Sequence, residues 1–377
     1  MTAIATPLPE DICAVRDGLL AFVESEVIPR HERNKALFEN PRQLFAEDGR
    51  FSDELLQLIH EVRTRSAAAG FYQMCVPEAL GGSGFGHLAY YAVWEALFHR
   101  CGPGNWLMLY ALAHWAFGPS RLLEQVTEQA RDAFMPGLMD GTKSMCFGLS
   151  EPNAGSDASM IKTRATPDGD GWRISGRKIW TTNAPVADYC VIFSVTDAER
   201  AAAKRGGISA FIVPTDSPGF QVQRIIKLFG HIGGDEAELA FDDLYVEPWQ
   251  VVGELHQGFK AALYGVSLGR IYNSARSVGY GRWALEQALD YANTREAFGD
   301  TIASYQGVSF PLAECATELH AAHLMGLNAA TLLDEGHSAI KELSMTKAYS
   351  VQVGFKAVDQ AIQTHGAMGF TNELNLT

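Results

Sequence analysis

The hydrophobic period of this chain changes twice, and that alternation constrains its fold more than any single motif. Up to about Gly141, apolar residues recur at helical spacing. Leu55, Leu56, Leu58, Ile59 and Val62 mark one face, and Tyr91, Trp94, Leu97 and Phe98 another. From Ser144 to about Val252 the texture is β-branched and alternating, in runs such as Tyr189 to Val195, Ile208 to Val213 and Phe220 to Arg224. Turn clusters such as Asp168-Gly169-Asp170-Gly171 separate them. After Gly258 the helical period returns through Phe259, Ala262, Leu263 and Val266, then Leu285, Leu289 and Tyr291. Such blocks predict an α+β chain with segregated parts. The expected units are an N-terminal helical domain over 1–142, a central β-barrel-like domain over 143–255 and a C-terminal helical bundle over 256–377.

Composition narrows what such a chain does. With 377 residues, 47% of them hydrophobic, it exceeds what one core usually serves. A formal net charge of -14 argues against nucleic acid or an anionic membrane as partner, because both reward a basic surface. The six cysteines, Cys13, Cys75, Cys101, Cys146, Cys190 and Cys315, form no CxxC pair. They read as reduced thiols of a cytoplasmic protein, not as a disulfide framework or zinc site. The N-terminus lacks a basic region followed by an apolar run. Leu88 to Phe117 is interrupted by Glu95, His99, Arg100 and Pro103, which suits a buried helical region and not a membrane span.

Two segments carry the chemistry. Cys146 to Asp157 runs from an apolar strand into a turn where Ser150, Gly155 and Ser156 offer short donors, and Lys178-Ile179-Trp180-Thr181-Thr182-Asn183 follows. Together they suit the isoalloxazine ring of a flavin: Trp180 offers a face for stacking and Thr182 a hydroxyl for one ring edge. Val76 to Gly84 is glycine-rich and is either a connection between helices or a ligand contact. It completes no GxGxxG, since His87 stands where the last glycine would be.

Gly148-Leu149-Ser150-Glu151 with Gly155-Ser156-Asp157 resembles the first signature of the acyl-CoA dehydrogenase family, and Lys178 to Asn183 its flavin-stacking strand. Further matches recur in order along nearly the whole chain. The resemblance implies FAD as cofactor, with Phe147, Leu149, Ser150, Gly155, Ser156, Trp180, Thr181 and Thr182 around the ring and Ser156 also near CoA. Arg295-Glu296-Ala297-Phe298-Gly299 and the later Gln306 match the family's contact to the FAD of a neighbouring subunit, which implies a homodimer or homotetramer. Alone, Arg295 would read as a cation capping a helix end. Beside the other motifs it reads as a fork for pyrophosphate. Gln363-Thr364-His365-Gly366-Ala367-Met368-Gly369-Phe370 resembles the start of the second signature, with Gln363, Gly366 and Ala367 at the cofactor and Ala367 replacing the usual Gly or Ser. His365 is expected to be a packed or interface histidine and not a base. Arg270 matches a position on the substrate channel.

The implied reaction is α,β-dehydrogenation of an acyl-CoA, or an acyl group on a carrier, with electrons passed to an electron-transferring flavoprotein. A carboxylate removes the α-proton and the β-hydrogen leaves as hydride to flavin N5. No residue matches the base. Gly269 stands where one branch of the family has its glutamate, and the other branch's base lies beyond Thr377, so the chain is expected to be truncated. Glu373 falls inside the signature and not at the base position. The stretch Lys227 to Asp235 departs from the common pattern near the substrate mouth. An acyl-CoA oxidase, a flavin monooxygenase and a non-catalytic binding relative stay open as alternatives. His320 and His323, spaced i, i+3, come without a ligand set for metal, and nothing resembles GxSxG.

Overall fold

The computed structural model describes residues 8–40, 43–228 and 234–376. The chain divides into two compact units, each assembled from separated stretches. Arg30–Gly84 and Leu109–Val266 form one; Met1–Pro29, Phe85–Met108 and Ser267–Thr377 form the other.

The first unit is built on an eight-stranded sheet. Its strands are β1 (Met145–Gly148), β2 (Arg164–Asp168), β3 (Gly171–Thr182), β4 (Tyr189–Val195), β5 (Ile208–Pro214), β6 (Phe220–Ile225), β7 (Glu236–Val246) and β8 (Val251–Val252). Their order is β6-β7-β3-β2-β4-β5-β8, with β1 paired in parallel to β4. The expected barrel is replaced by an open path, because the end strands β6 and β8 do not pair with each other among the described residues. One link in the path is slender: β2 meets β4 through the single parallel pair Arg164 and Val195.

β4 shows why its sequence is an unbroken apolar run. Cys190 and Ile192 join the core on one face with Ile174, Leu239 and Phe241. Val191 and Phe193 join the core on the other face with Leu122, Phe134 and Leu138. A strand covered on both sides has no reason to alternate. Phe134 and Leu138 come from the helix Glu128–Met139, whose Thr127 accepts a capping hydrogen bond from the Ala130 N–H at 3.1 Å.

The second unit is helical, with Glu10–Phe22, His87–Cys101, Gln306–Asp334, Ile340–His365 and the later part of Gly258–Thr294. Small residues set its close packing. A Cβ added to Gly354 would lie 2.5 Å from the Ser277 carbonyl oxygen, so only glycine permits these two helices to approach as they do. The helix His87–Cys101 is anchored at both ends of its buried face. Asp334 accepts from the N–H groups of His87 at 2.7 Å and Leu88 at 2.9 Å, and further along Glu95, 3% exposed, accepts from Arg282 and His323 Nδ1. This accounts for His323, whose ring serves a carboxylate and not a metal, while His320 is exposed.

Candidate active site

The signature turn and β3 are joined by a buried ion pair. Lys178 on β3 is fully buried, and its Nζ donates to Glu151 Oε1 at 2.9 Å and to the Leu149 carbonyl at 3.0 Å. Glu151 also accepts the N–H of Lys162 at 2.6 Å and of Thr163 at 2.9 Å, so both carboxylate oxygens are engaged. Burial alone would raise the Glu151 carboxyl, but the Lys178 charge and these donors outweigh it and hold it below its ordinary value. Burial drives Lys178 the other way, down to about 8 despite the attraction of Glu151. At neutral pH the pair is charged, and each partner depends on the other.

One more bond completes the junction. The Ile179 N–H donates to the Ser150 carbonyl at 2.9 Å, away from the sheet. It is free to do so because β3 bulges there. Lys178 pairs with Leu239, whereas Thr181 pairs with Ala237, so two residues on β3, Ile179 and Trp180, oppose the single Glu238 on β7. The bulge throws Trp180 outward at φ +59, leaving the ring 55% exposed, and returns Thr181 to the interior. A tryptophan in the left-handed region is strained, and the flanking bonds hold it there.

Beyond the bulge, Thr182 donates to Glu236 Oε1 on β7 at 2.5 Å. Asn183 ties the end of β3 to β1 and β7: its Nδ2 donates to the Met145 carbonyl at 2.8 Å and its N–H to the Asp235 carbonyl at 2.6 Å. Burial, with a contribution from the neighbouring Glu236 charge, pushes Asp235 up to about 7. Burial also raises Glu236, against the pull of its Thr182 hydrogen bond. Of the expected ring contacts, Ser150 and Thr182 are half-buried, Leu149 and Thr181 buried, and Gly155, Ser156 and Trp180 exposed. The Phe147 ring packs inward on Trp115 and Phe193, which leaves its backbone as what it offers a ligand.

These residues suit a flat, polar-edged ring. The Trp180 face is open, a Cβ at Gly155 would meet nothing within 4 Å, and Ser150 and Thr182, which both bear hydroxyls, are half-buried. Neither Lys178 nor Glu236 stands out as a functional residue by type. Lys178 leaves one signal: it shares the inward parity of Ile174, where a lysine must have a buried partner. For Glu236 there was none. Of the divergent Lys227 to Asp235 stretch, residues 229–233 lie outside the described residues.

The remaining expected contacts lie in the helical unit and face outward. Arg295 is exposed, with no side-chain partner among the described residues, and it precedes a small hairpin, β9 (Glu296–Ala297) and β10 (Asp300–Thr301). Phe298 at the hairpin tip is 99% exposed at φ +53. Gln306, which opens its helix, is exposed, as are Gln363, Gly366 and Ala367, where the last helix gives way to a 3-10 turn. His365 is buried as expected, its Nδ1 bonding the Ala361 carbonyl at 2.8 Å and its ring lying 4.5 Å from Tyr291. Arg270 is half-buried, beside buried Gly269; Glu373 is exposed.

Comparison with known proteins places this geometry. Residues 9–142, 146–244 and 256–377 match the N-terminal, middle and C-terminal domains of acyl-CoA dehydrogenase. A caffeyl-CoA reductase–Etf complex subunit of Acetobacterium woodii is 34% identical over 327 residues, 87% of this chain and 83% of the relative. The human mitochondrial short-chain specific acyl-CoA dehydrogenase is 35% identical over 305 residues, 81% of this chain and 73% of the relative. Among solved structures, butyryl-CoA dehydrogenase from Megasphaera elsdenii superposes with a TM-score of 0.82 at 28% identity, covering 98% of this chain and 91% of the other.

Proposed function

Because this chain belongs to the acyl-CoA dehydrogenase family, we propose that it is an FAD-dependent enzyme acting on the α,β bond of an acyl-CoA thioester. The observation that carries this reading is the convergence of the two flavin segments. Lys178, Glu151 and the Ile179-to-Ser150 bond hold the signature turn beside the exposed Trp180. FAD, when bound, would supply the acceptor for the β-hydrogen as hydride.

This chain's own residues do the placing. Trp180 gives the ring a stacking face, while Ser150 and Thr182 give its edges polar partners, Thr181 offers its backbone alone, and Gly155 and Ser156 let backbone approach. Arg295, without a side-chain partner among the described residues, serves the pyrophosphate of FAD held by a second copy, with Phe298, Gln306, Gln363, Gly366 and Ala367 around it. Such sharing calls for at least a homodimer. The family resemblance assigns Arg270 to the acyl group and Ser156 to CoA. Gly269 bears no acid–base group, so the α-proton goes to another residue. The three domains are taken at 1–142, 143–255 and 256–377.

The partner is an electron-transferring flavoprotein, supported by the Acetobacterium relative, which is named as a subunit of an Etf complex. That relative is a reductase, and it favours a second reading in which the same site adds hydrogen to an enoyl-CoA. No helix among the described residues is long and apolar enough to cross a membrane. Anaerobic titration of the FAD-loaded protein with acyl-CoAs, following the visible flavin band, tests the first reading. Bleaching by one of them is expected. A band that shifts without bleaching would overturn it, and reoxidation of the reduced protein by an enoyl-CoA with no bleaching of the oxidised protein by the matching acyl-CoA would establish the second.

A further inference from the structure

β3 ends where β7 begins, and Thr182 and Glu236 face each other as a registered pair. The Thr182 hydroxyl donates to Glu236 Oε1 at 2.5 Å. Glu236 is held from its other side as well, since its carbonyl accepts the Ile226 N–H at 2.8 Å. Its second carboxylate oxygen, Oε2, is buried and has no partner among the described residues.

A threonine hydroxyl has one proton and two lone pairs. Left alone, it rotates to donate or to accept as its neighbour requires. Here the proton is committed to Glu236, so only lone pairs are left for a third group. The outcome holds as long as Oε1 carries no hydrogen, as in the ionised carboxylate. A protonated carboxyl carrying its hydrogen on Oε2 still accepts at Oε1.

We infer that Glu236 is a positioning residue, which turns the Thr182 proton away from the ligand and leaves the hydroxyl as a pure acceptor at that edge. This rests on the reading that Thr182 faces the flavin ring. An acceptor matches a ring edge bearing N–H and repels one presenting a bare nitrogen or carbonyl. Two-electron reduction of a flavin adds N–H to the ring, so Glu236 makes this wall of the site favour the reduced over the oxidised cofactor.

The sign of one potential shift tests it. In the FAD-loaded protein, Thr182→Val removes the hydroxyl. If that hydroxyl accepts from the reduced ring, the two-electron midpoint potential falls; if it donates to the oxidised ring, the potential rises. A fall is expected, about tenfold in the ratio of reduced to oxidised affinity, or about 30 mV. A rise or no change overturns the inference. Glu236→Ala frees the hydroxyl to donate, whereas Glu236→Gln keeps an acceptor oxygen, and neither is charged. The potential of Glu236→Ala is therefore expected below that of Glu236→Gln, and the gap is expected to vanish when Thr182→Val is added to both. Equal potentials, or a gap that survives Thr182→Val, also overturn it. A wild-type protein that fails to bind FAD would instead sink the proposed function, which keeps the two failures distinct.

Discussion

The two groups of residues assigned to the cofactor are held in opposite ways. In the β-sheet unit, Ser150, Trp180 and Thr182 sit on a frame closed within the chain, with Lys178 and Glu151 buried against each other and Asn183 and Glu236 fixing the strand end. In the helical unit, Arg295, Phe298, Gln306, Gln363 and Ala367 are exposed, and no side chain among the described residues engages Arg295. The ring side is preorganised by folding, so its side chains are in place before a ligand arrives. The group in the helical unit is exposed, its Phe298 ring meeting only the edge of Tyr305 among the described rings, and its residues contribute little to folding.

The most forceful way to break this contrast is Lys178→Met. It strands a buried carboxylate and is expected to cost about 3–5 kcal/mol in urea unfolding, with most of that recovered when Glu151→Leu is added. A single-variant cost below about 1 kcal/mol would mean the ring side is not clamped. Arg295→Ala tests the other side. FAD affinity is expected to drop about tenfold to a hundredfold, as for a charge-assisted hydrogen bond, with folding stability unchanged within about 0.5 kcal/mol. An equal loss of stability would erase the distinction.

Titration sharpens it further. Glu151 lies below its ordinary value of 4.5 in the folded protein, so its contribution is present above that pH and is lost as pH falls through the folded value. Urea midpoints should therefore decline on acidification, and Glu151→Gln should flatten that decline. Asp235 has the opposite sign. Its folded value of about 7 exceeds the ordinary 3.8, so the stability it confers at low pH is lost as pH rises through about 7. Asp235→Asn should remove this loss; a midpoint that falls just as steeply between pH 4 and 7 would refute it. The smallest effect on folding is expected from Phe298→Ser, a ring 99% exposed. Its unfolding midpoint should stay put while sedimentation shows weaker self-association.

Much of this was legible in the sequence because it follows from period and residue type. The runs Tyr189 to Val195 and Ile208 to Val213 are strands, and Asp168 to Gly171 is the turn between β2 and β3. Trp180 is exposed and His365 packed. Strand order was not legible. Whether β6 meets β8 depends on accumulated twist and on one pair, Arg164 with Val195, that no local pattern encodes. Nor was the partner of Thr182, since it lies 54 residues away and depends on a register set by two bulges.

The bulge at Ile179 and Trp180 has a consequence for how the gene tolerates change. Upstream of it the even-numbered side chains Ile174 and Lys178 point inward; downstream, odd-numbered Thr181 does. The strand thus reads in two frames joined at a single spare residue. A point substitution at Ile179 alters one side chain and keeps both frames. Deleting it leaves Thr181 two residues after Lys178, so both still point inward, and what is lost is the bulge itself, with the left-handed turn at Trp180 and the Ile179 N–H bond to Ser150. A deletion scan should therefore find folding more tolerant at this position than at its neighbours, with the loss falling on what Trp180 presents to a ligand.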